Sequence, residues 1–391
     1  MRSVAILSAV MAVGTAVVSG ATTCTKDIIV SEPTPVIDCD VVDADINVDE
    51  KLAGSLSIEG PKQIKGNFNV TGATKLIGIS SSSISSISGI MNLEGLTLLS
   101  SLNMQSLKNV NDLRLIGLPQ LNGLTFGTSG VTKAANIKVT DTFISDLSGL
   151  NIATADVIDI SNNGKLTTFN SDLVNVTKSL KLVDNGNTMR VNMSRLMKAC
   201  EIEFRQVKSF DAPSLQEVCS IKFNDSPELL TVSANNLTDI SASLTFINNK
   251  KLANVSFEAL GTIKGDMTIV NNTALKAIDG FPNLTNVGNI LVGGNFEAVK
   301  LPKLKDVKGS VTVTSTTDIS SFCKFFDDAK ASSNIRGKES CKSNNKNANS
   351  GDSTGGDSAG GNKTKEDAAG VISVNTAMLG LVGFAGIAQL L

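Results

Sequence analysis

Residues 244–255 read LTFINNKKLANV, and residues 267–278 read MTIVNNTALKAI. Both stretches place apolar residues at offsets 0, +2, +8 and +11, and both carry an Asn pair at the same place. Strict or looser copies of this template recur 19 to 24 residues apart. The copies begin at Phe68, Met91, Leu113, Ile137, Ile158, Leu180, Ile202, Ile221, Leu244, Met267, Ile290 and Val311. Because this period is typical of solenoid repeats, the sequence predicts one elongated array of about twelve coils.

A second phrase, L-x-x-V, precedes many of the copies, as at Leu284 and Val287. Joined to the next copy it gives the leucine-rich-repeat pattern L-x-x-L-x-L, as in Val287-x-x-Ile290-x-Val292. An apolar-x-apolar triplet is typical of a short strand with two side chains inward. One coil cannot bury that face alone, so the coils stack into parallel ladders. We therefore predict an all-β-rich repeat solenoid with parallel sheets, of the right-handed β-helix or leucine-rich-repeat-like kind.

Short polar residues follow the triplets at offsets +4 and +5. They are Asn162-Asn163, Asp184-Asn185, Asp225-Ser226, Asn248-Asn249 and Asn271-Asn272. Such side chains can bond free backbone groups of the next coil, so we predict a structural Asn ladder, with metal binding as the alternative. Asn271 also begins an N-glycosylation signal, and a glycan facing the coil interior would break the stack. We therefore predict that Asn272 is the ladder member.

The residues at offset +1 lie on the outer face of the predicted strands, and their charges alternate from one coil to the next. The series is Lys138, Asp159, Lys181, Glu203 and Lys222. Stacked coils make these positions neighbours, so we expect cross-strand ion pairs. A charged ligand-binding face is the alternative interpretation.

The composition restricts the chemistry of the chain. It has 391 residues, a formal net charge of −2, and no histidine, tryptophan or tyrosine. The lack of histidine excludes Ser–His–Asp and Cys–His catalysis and histidine metal sites. The near-neutral charge gives no indication of nucleic-acid binding. We predict no catalytic residue, no cofactor and no metal; a pair of carboxylates in a cleft is the remaining catalytic alternative.

The two ends of the chain carry targeting patterns. Residues 1–21 combine a basic start, an apolar run and small residues, which predicts a secretory signal peptide rather than a buried helix. Residues 22–342 hold the repeats, and the Ser/Gly/Asn-rich residues 343–370 predict a disordered stalk. The uncharged apolar tail 371–391 then predicts a removed GPI-anchor signal, with a transmembrane helix as the alternative. Ser358 and Asn362 are the candidate anchor sites.

Six cysteines fit an oxidising, extracellular compartment. They are Cys24, Cys39, Cys200, Cys219, Cys323 and Cys341. They allow fifteen pairings, of which nearest-neighbour pairing is the most economical, and the absence of C-x-x-C spacing disfavours zinc. The candidate N-glycosylation sites are Asn69, Asn175, Asn192, Asn236, Asn254, Asn271 and Asn283. Asn224 is a weaker candidate because Pro227 follows its Ser226, and Asn362 is a further sequon in the stalk.

Three stretches resemble fungal GPI-anchored cell-wall proteins with receptor-L-domain-like repeats. They are Ser129–Ala134, Asn271–Pro282 and Leu301–Val307. The resemblance spans residues 22–342 and both terminal signals. It implies a β-helix-like solenoid displayed on the plasma membrane and wall, a role in wall organisation and integrity, and no catalytic residues. The lack of tyrosine and tryptophan departs from the family and leaves no such ring for ligand contacts.

Three functions are compatible with these patterns. The first is a non-enzymatic wall-organising glycoprotein, held to the membrane by a GPI lipid. Its expected partners are wall polysaccharide or wall proteins, including covalent attachment of a GPI remnant to glucan, and we expect a monomer. The second is a ligand-binding receptor-like or adhesin ectodomain, since solenoids offer extended faces. The third is a carboxylate-based wall glycosidase or transglycosidase.

Overall fold

The computed structural model describes residues 21–349. Its main feature is a 20-stranded parallel sheet along one side of a solenoid of about 13 turns. Its strands are Thr23–Cys24, Ile28–Val30, Val41–Val42, Ile46–Val48, Gln63–Ile64, Phe68–Thr71, Ser86–Glu94, Asn109–Leu118, Asn136–Thr142, Thr154–Ser161, Asn175–Val183, Lys198–Arg205, Glu217–Asn224, Asp239–Ile240, Leu244–Ile247, Thr262–Val270, Asn286–Gly294, Asp306–Val307, Val311–Ser315 and Glu339–Lys342. The predicted parallel-sheet repeat solenoid is confirmed.

A second side of the solenoid carries shorter parallel sheets. A four-stranded sheet contains Ala53–Ser57, Lys75–Ser81, Ser101–Met104 and Leu124–Phe126. A five-stranded sheet contains Thr168–Asn170, Met189–Asn192, Val207–Asp211, Thr231–Ser233 and Asn254–Ser256, and a two-stranded sheet contains Ala277–Ile278 and Ala298–Val299. Each coil therefore contributes a triplet strand to the main sheet and, in most coils, a short strand to the second side.

The register follows the sequence template. Phe246 lies beside Ile269 in the main sheet, as the two quoted stretches predict. The ladder also extends before the first recognised copy, because Ile46 pairs with Phe68 and Ile28 pairs with Ile46. At the other end, the Val311 copy does not continue into a second short strand. Residues Ser320–Ala331 form an α-helix instead, which buries Phe322 and Phe326 one helical turn apart.

The residue at offset +4 has a positive φ in coil after coil. Early coils use glycine there, as at Gly95 (φ 68°) and Gly117 (φ 64°), whereas most later coils use Asn or Asp, as at Asn162 (φ 58°) and Asn248 (φ 60°). This left-handed conformation is accessible to Gly and, among other residues, most readily to Asn and Asp. The first member of each Asn pair thus turns the chain out of the main sheet.

The core is one continuous apolar column between the two sides. In the early coils it consists of aliphatic layers such as Leu93 and Leu115, both fully buried. Further along, Phe204, Phe223 and Phe246 occupy offset +2 of successive coils, with ring centroids 5.4 and 5.5 Å apart. Contacts of this kind add about 0.5–1.5 kcal/mol per pair beyond the buried area.

Three disulfides join nearest neighbours in the sequence. They are Cys24–Cys39, Cys200–Cys219 and Cys323–Cys341. The first and third lie at the two ends of the described solenoid, and the second joins neighbouring coils near its middle. The last one ties the helix to the final strand of the main sheet. A terminal coil packs against a neighbouring coil on one side only. The two terminal disulfides therefore stabilise the coils that packing stabilises least.

The last described residues fold onto the end of the solenoid. Asn344 and Asn345 donate backbone N–H groups to the carbonyls of Thr317 and Ser315, at 2.9 and 2.7 Å. Ordered structure thus continues from the predicted boundary at 342 to residue 349. The signal peptide, the rest of the stalk, Ser358, Asn362 and the tail 371–391 lie outside the described residues, apart from Ala21.

Candidate functional site

A groove follows the point where each main-sheet strand changes direction. The register shifts by a β-bulge between the L-x-x-V segment and the triplet segment, as between Ala155 and Val157 and between Ile263 and Asp266. A bulge bends its strand and leaves a residue unpaired. Repeated from coil to coil, the bends form a channel along the axis of the solenoid.

Two adjoining cavities make up this channel, and Thr177 lines both. The larger has a volume of about 720 Å³ and extends from Ser86 to Thr177. The other has a volume of about 410 Å³ and extends from Asn175 to Lys264. We call the pair the bulge groove. It passes nine coils, whose triplets begin at Met91, Leu113, Ile137, Ile158, Leu180, Ile202, Ile221, Leu244 and Met267.

The floor of the bulge groove is apolar and its walls are polar. The last position of L-x-x-V forms the floor, where Ala134, Ala155 and Ala199 are buried and replace the larger Val or Ile of other coils. Hydroxyl and amide side chains form the walls. They include Ser86, Ser88, Asn109, Asn111, Thr132, Thr154, Asn175, Thr177, Thr238 and Ser241.

The charges of the bulge groove balance one another. Its lining holds Lys133, Lys198 and Lys264 against Asp156, Glu217 and Asp239, so the formal sum is zero. Lys198 pairs with Glu217 at 2.9 Å. Thr177, with Lys178 beside it, donates hydrogen bonds to Asp156 and holds the pKa of that carboxyl below its usual range. The groove therefore presents neutral hydrogen-bonding groups together with equal numbers of positive and negative side chains.

The Asn ladder lies inside the coils at the turn out of the main sheet. Asn272 is buried, and its Oδ1 accepts hydrogen bonds from the backbone N–H and the Nδ2 of Asn249, at 3.0 and 3.1 Å. Asn163 and Asn185 are linked in the same way. The prediction that Asn272 is the structural member is confirmed.

A second, outer ladder joins the first members of the Asn pairs. Asn271 is half-buried and donates from Nδ2 to Oδ1 of Asn248 at 2.8 Å, and Asn248 donates to Asp225 at 2.9 Å. Asn271 is thus both a sequon and a rung of this outer ladder. Glycosylation leaves one N–H on Nδ2, so a glycan and the hydrogen bond are chemically compatible there.

The other sequons divide by their exposure. Asn192, Asn236 and Asn254 are exposed, and two of them lie on strands of the second side. Asn69 and Asn283 are half-buried, with Nδ2 bonded to Asn47 and to the carbonyl of Glu258. Asn224 is half-buried, and its Oδ1 is buried without a partner in the described chain. Asn175 stands apart, because it lines the bulge groove.

Two other predicted features have a simple structural outcome. The register brings Lys138, Asp159, Lys181, Glu203 and Lys222 side by side, and Lys222 forms an ion pair with Glu203 at 3.5 Å. Such exposed pairs contribute little to stability. Cys200, Glu201 and Cys219 bring three residues of metal-ligating type together, but the two sulfurs are bonded to each other and offer no thiolate.

Sequence reasoning did not find the bulge groove.

The helix Ser320–Ala331 is too short for a membrane span, and residues 21–349 contain no other candidate. The chain combines a disulfide-linked parallel solenoid, exposed sequons and an open polar groove. Together they define an extracellular repeat protein with an extended lateral surface.

Comparison with curated proteins identifies the family. The chain is 31% identical to "Protein ecm33" of Aspergillus fumigatus, over 78% of this chain and 76% of that protein. It is 31% identical to a "Cell surface GPI-anchored protein" of Arthroderma benhamiae, over 90% and 89%. It is 35% identical to "Cell wall mannoprotein PST1" of Saccharomyces cerevisiae, over 68% and 62%.

The chain belongs to this family of fungal GPI-anchored cell-surface and cell-wall proteins. Its location is accordingly the cell surface and wall. No family model matches the chain, and no solved structure is similar to it.

Proposed function

We propose that the protein is a non-enzymatic GPI-anchored glycoprotein that contributes to the organisation and integrity of the fungal cell wall. The observation that carries this proposal is the family relationship, which covers nearly the whole chain. The disulfides at both ends of the solenoid support an extracellular location, because disulfides persist in oxidising compartments.

The carboxylates of the bulge groove support the non-enzymatic part of the proposal. A glycosidase needs a carboxylic acid whose pKa is raised, so that it can protonate the leaving oxygen. Asp156 has a lowered pKa because Thr177 and Lys178 hydrogen-bond to it. Glu217 is held by Lys198. We therefore expect the Asp156 carboxylate to stay ionised and to act in structure rather than in proton transfer.

Deletion of residues 371–391 tests the anchoring part. We expect the truncated protein to appear in the medium and the cells to become sensitive to wall-stressing dyes. The matched control removes residues 350–357 of the stalk, upstream of both candidate anchor sites, and should leave the protein on the surface. Unchanged location of the tail-deleted protein would contradict the anchor.

The non-enzymatic part has its own test. Purified protein is incubated with glucan, chitin and mannan, and new reducing ends and chain-length changes are measured. We expect neither. Hydrolysis or transfer would instead support the glycosidase alternative. Partner identity follows from crosslinking on intact walls, where we expect polysaccharide or wall proteins.

A further inference from the structure

We propose that the bulge groove binds a linear, uncharged polysaccharide whose chain runs along the solenoid axis. The inference rests on the proposed wall function for the source of the ligand and on the groove for its chemistry. The groove passes nine coils in register. With strands about 4.8 Å apart, it is roughly 40 Å long. A site of this length fits a polymer rather than a small molecule.

The lining selects a polar and uncharged chain. The lysines and carboxylates of its lining sum to zero formal charge, and Lys198 and Glu217 pair with each other within the lining. A nucleic acid or a polyanionic glycan would meet no net positive field. Within residues 21–349, the side chains of Ser88, Asn111 and Thr154 line the groove without a protein hydrogen-bond partner. Hydroxyl-rich rings can use these free donors and acceptors, while their apolar faces rest on the alanine floor.

The geometry disfavours an extended peptide as the ligand. A bound peptide strand usually pairs with a free sheet edge. The groove lies on the face of the main sheet and not at an edge, because its strands have a neighbouring strand on both sides, as Asn175–Val183 does. A peptide also needs different pockets for different side chains, whereas this groove repeats similar positions from coil to coil. A polymer of identical units matches a repeated lining.

Among the sequons of the described chain, Asn175 is the one that lines the groove. The exposed sequons Asn192 and Asn254 lie on the second side of the solenoid. Asn175 alone lines the groove, so a glycan on it would occupy the channel. We therefore expect Asn175 to be unglycosylated in the protein that binds polysaccharide. If Asn175 carries a glycan, removing that glycan should strengthen the binding.

The test measures binding of the protein purified from fungal cells to defined-length oligosaccharides of β-1,3-glucan and of chitin. We expect affinity to rise with chain length until the groove is filled. Thr154→Arg fills the groove from an exposed wall position and should weaken binding about tenfold, a difference of ~1.4 kcal/mol. The matched control is Thr168→Arg, an exposed strand position on the second side, which should bind as the parent does.

Several results would overturn the inference. They are no binding to either polymer, binding that does not depend on chain length, equal effects of the two Arg substitutions, or binding of peptides alone. Failure of the groove proposal can be distinguished from failure of the proposed wall function. Cells lacking the protein that show weakened walls, while the purified protein binds no polysaccharide, refute only the groove. Binding without any wall defect in such cells refutes only the wall role.

Discussion

The Asn ladder makes a strong prediction about stability, which Asn249→Ala tests. Asn249 is fully buried. Its Oδ1 accepts the backbone N–H of Ser226 at 3.0 Å, and its Nδ2 donates to the carbonyl of Phe223 at 2.9 Å and to Asn272 at 3.1 Å. Alanine removes all three bonds and leaves the buried backbone N–H of Ser226 without its partner.

The size of the effect follows from that orphaned N–H and from the two other hydrogen bonds that are lost. The orphaned N–H costs about 1–3 kcal/mol and each further lost bond about 1 kcal/mol, so we expect the free energy of unfolding to fall by roughly 4 kcal/mol. Asn249→Ser should lose about half as much, because Ser226 holds the equivalent position in the previous coil and its Oγ accepts the N–H of Val207 at 3.2 Å. One substitution thus removes the rung and the other replaces it with a natural variant.

The assay is urea denaturation followed by far-ultraviolet circular dichroism, since a chain without tryptophan or tyrosine offers no useful intrinsic fluorescence. Asn170→Ala is the control, because Asn170 is an exposed strand residue and should change stability by less than about 0.5 kcal/mol. A loss below about 1 kcal/mol for Asn249→Ala, with an unchanged denaturant slope, would refute the reasoning.

Three further predictions concern the turn out of the main sheet, Glu339 in the final strand, and the last disulfide. Asn162→Ala should cost about 1 kcal/mol in a denaturant titration because of its positive φ, whereas Asn162→Gly should be nearly neutral; equal losses would contradict this. Burial and a nearby acidic side chain raise the pKa of Glu339. The ionised form of Glu339 therefore destabilises the fold above that raised pKa. Glu339→Gln should raise the melting temperature at neutral pH but leave it unchanged well below pH 4.5. The exposed control Glu258→Gln should leave the melting temperature unchanged at both pH values. Replacing Cys323 and Cys341 by serine should lower the free energy of unfolding by about 3 kcal/mol, and a change under 1 kcal/mol would contradict the stabilising role of this terminal crosslink.

The sequence predicts the repeated part of the fold because every coil has the same physical task. Offsets 0 and +2 must be apolar to fill the core, and offset +5 must satisfy backbone groups at the turn. Asn272 could be assigned to the ladder on that logic alone. The coil beginning at Ile46 was missed because a bulge between Gly54 and Ser55 puts Leu56, not the residue at offset +11, beside Ile79. A rigid template cannot follow such a shift.

The end of the solenoid and the groove were harder to predict for different reasons. Ile319 and Phe322 fit the strand template, but Phe322 and Phe326 also fit a helical face, and the helix is what forms. The bulge groove depends on backbone bends that leave no apolar signature. The one available signal was the change from Val or Ile to Ala at positions 134, 155 and 199.

The Cys323–Cys341 bridge changes how the molecule carries tension. A chain tethered at its C-terminus, as proposed, is pulled from beyond residue 349. At Cys341 the pull crosses the disulfide to Cys323, so residues 324–340 drop out of the load path. The next strand to bear the force is Val311–Ser315, which is hydrogen-bonded to strands on both of its sides. A pulling force from the wall therefore has to shear an inner strand that is hydrogen-bonded on both sides, instead of peeling away an outer strand that is bonded on one side only.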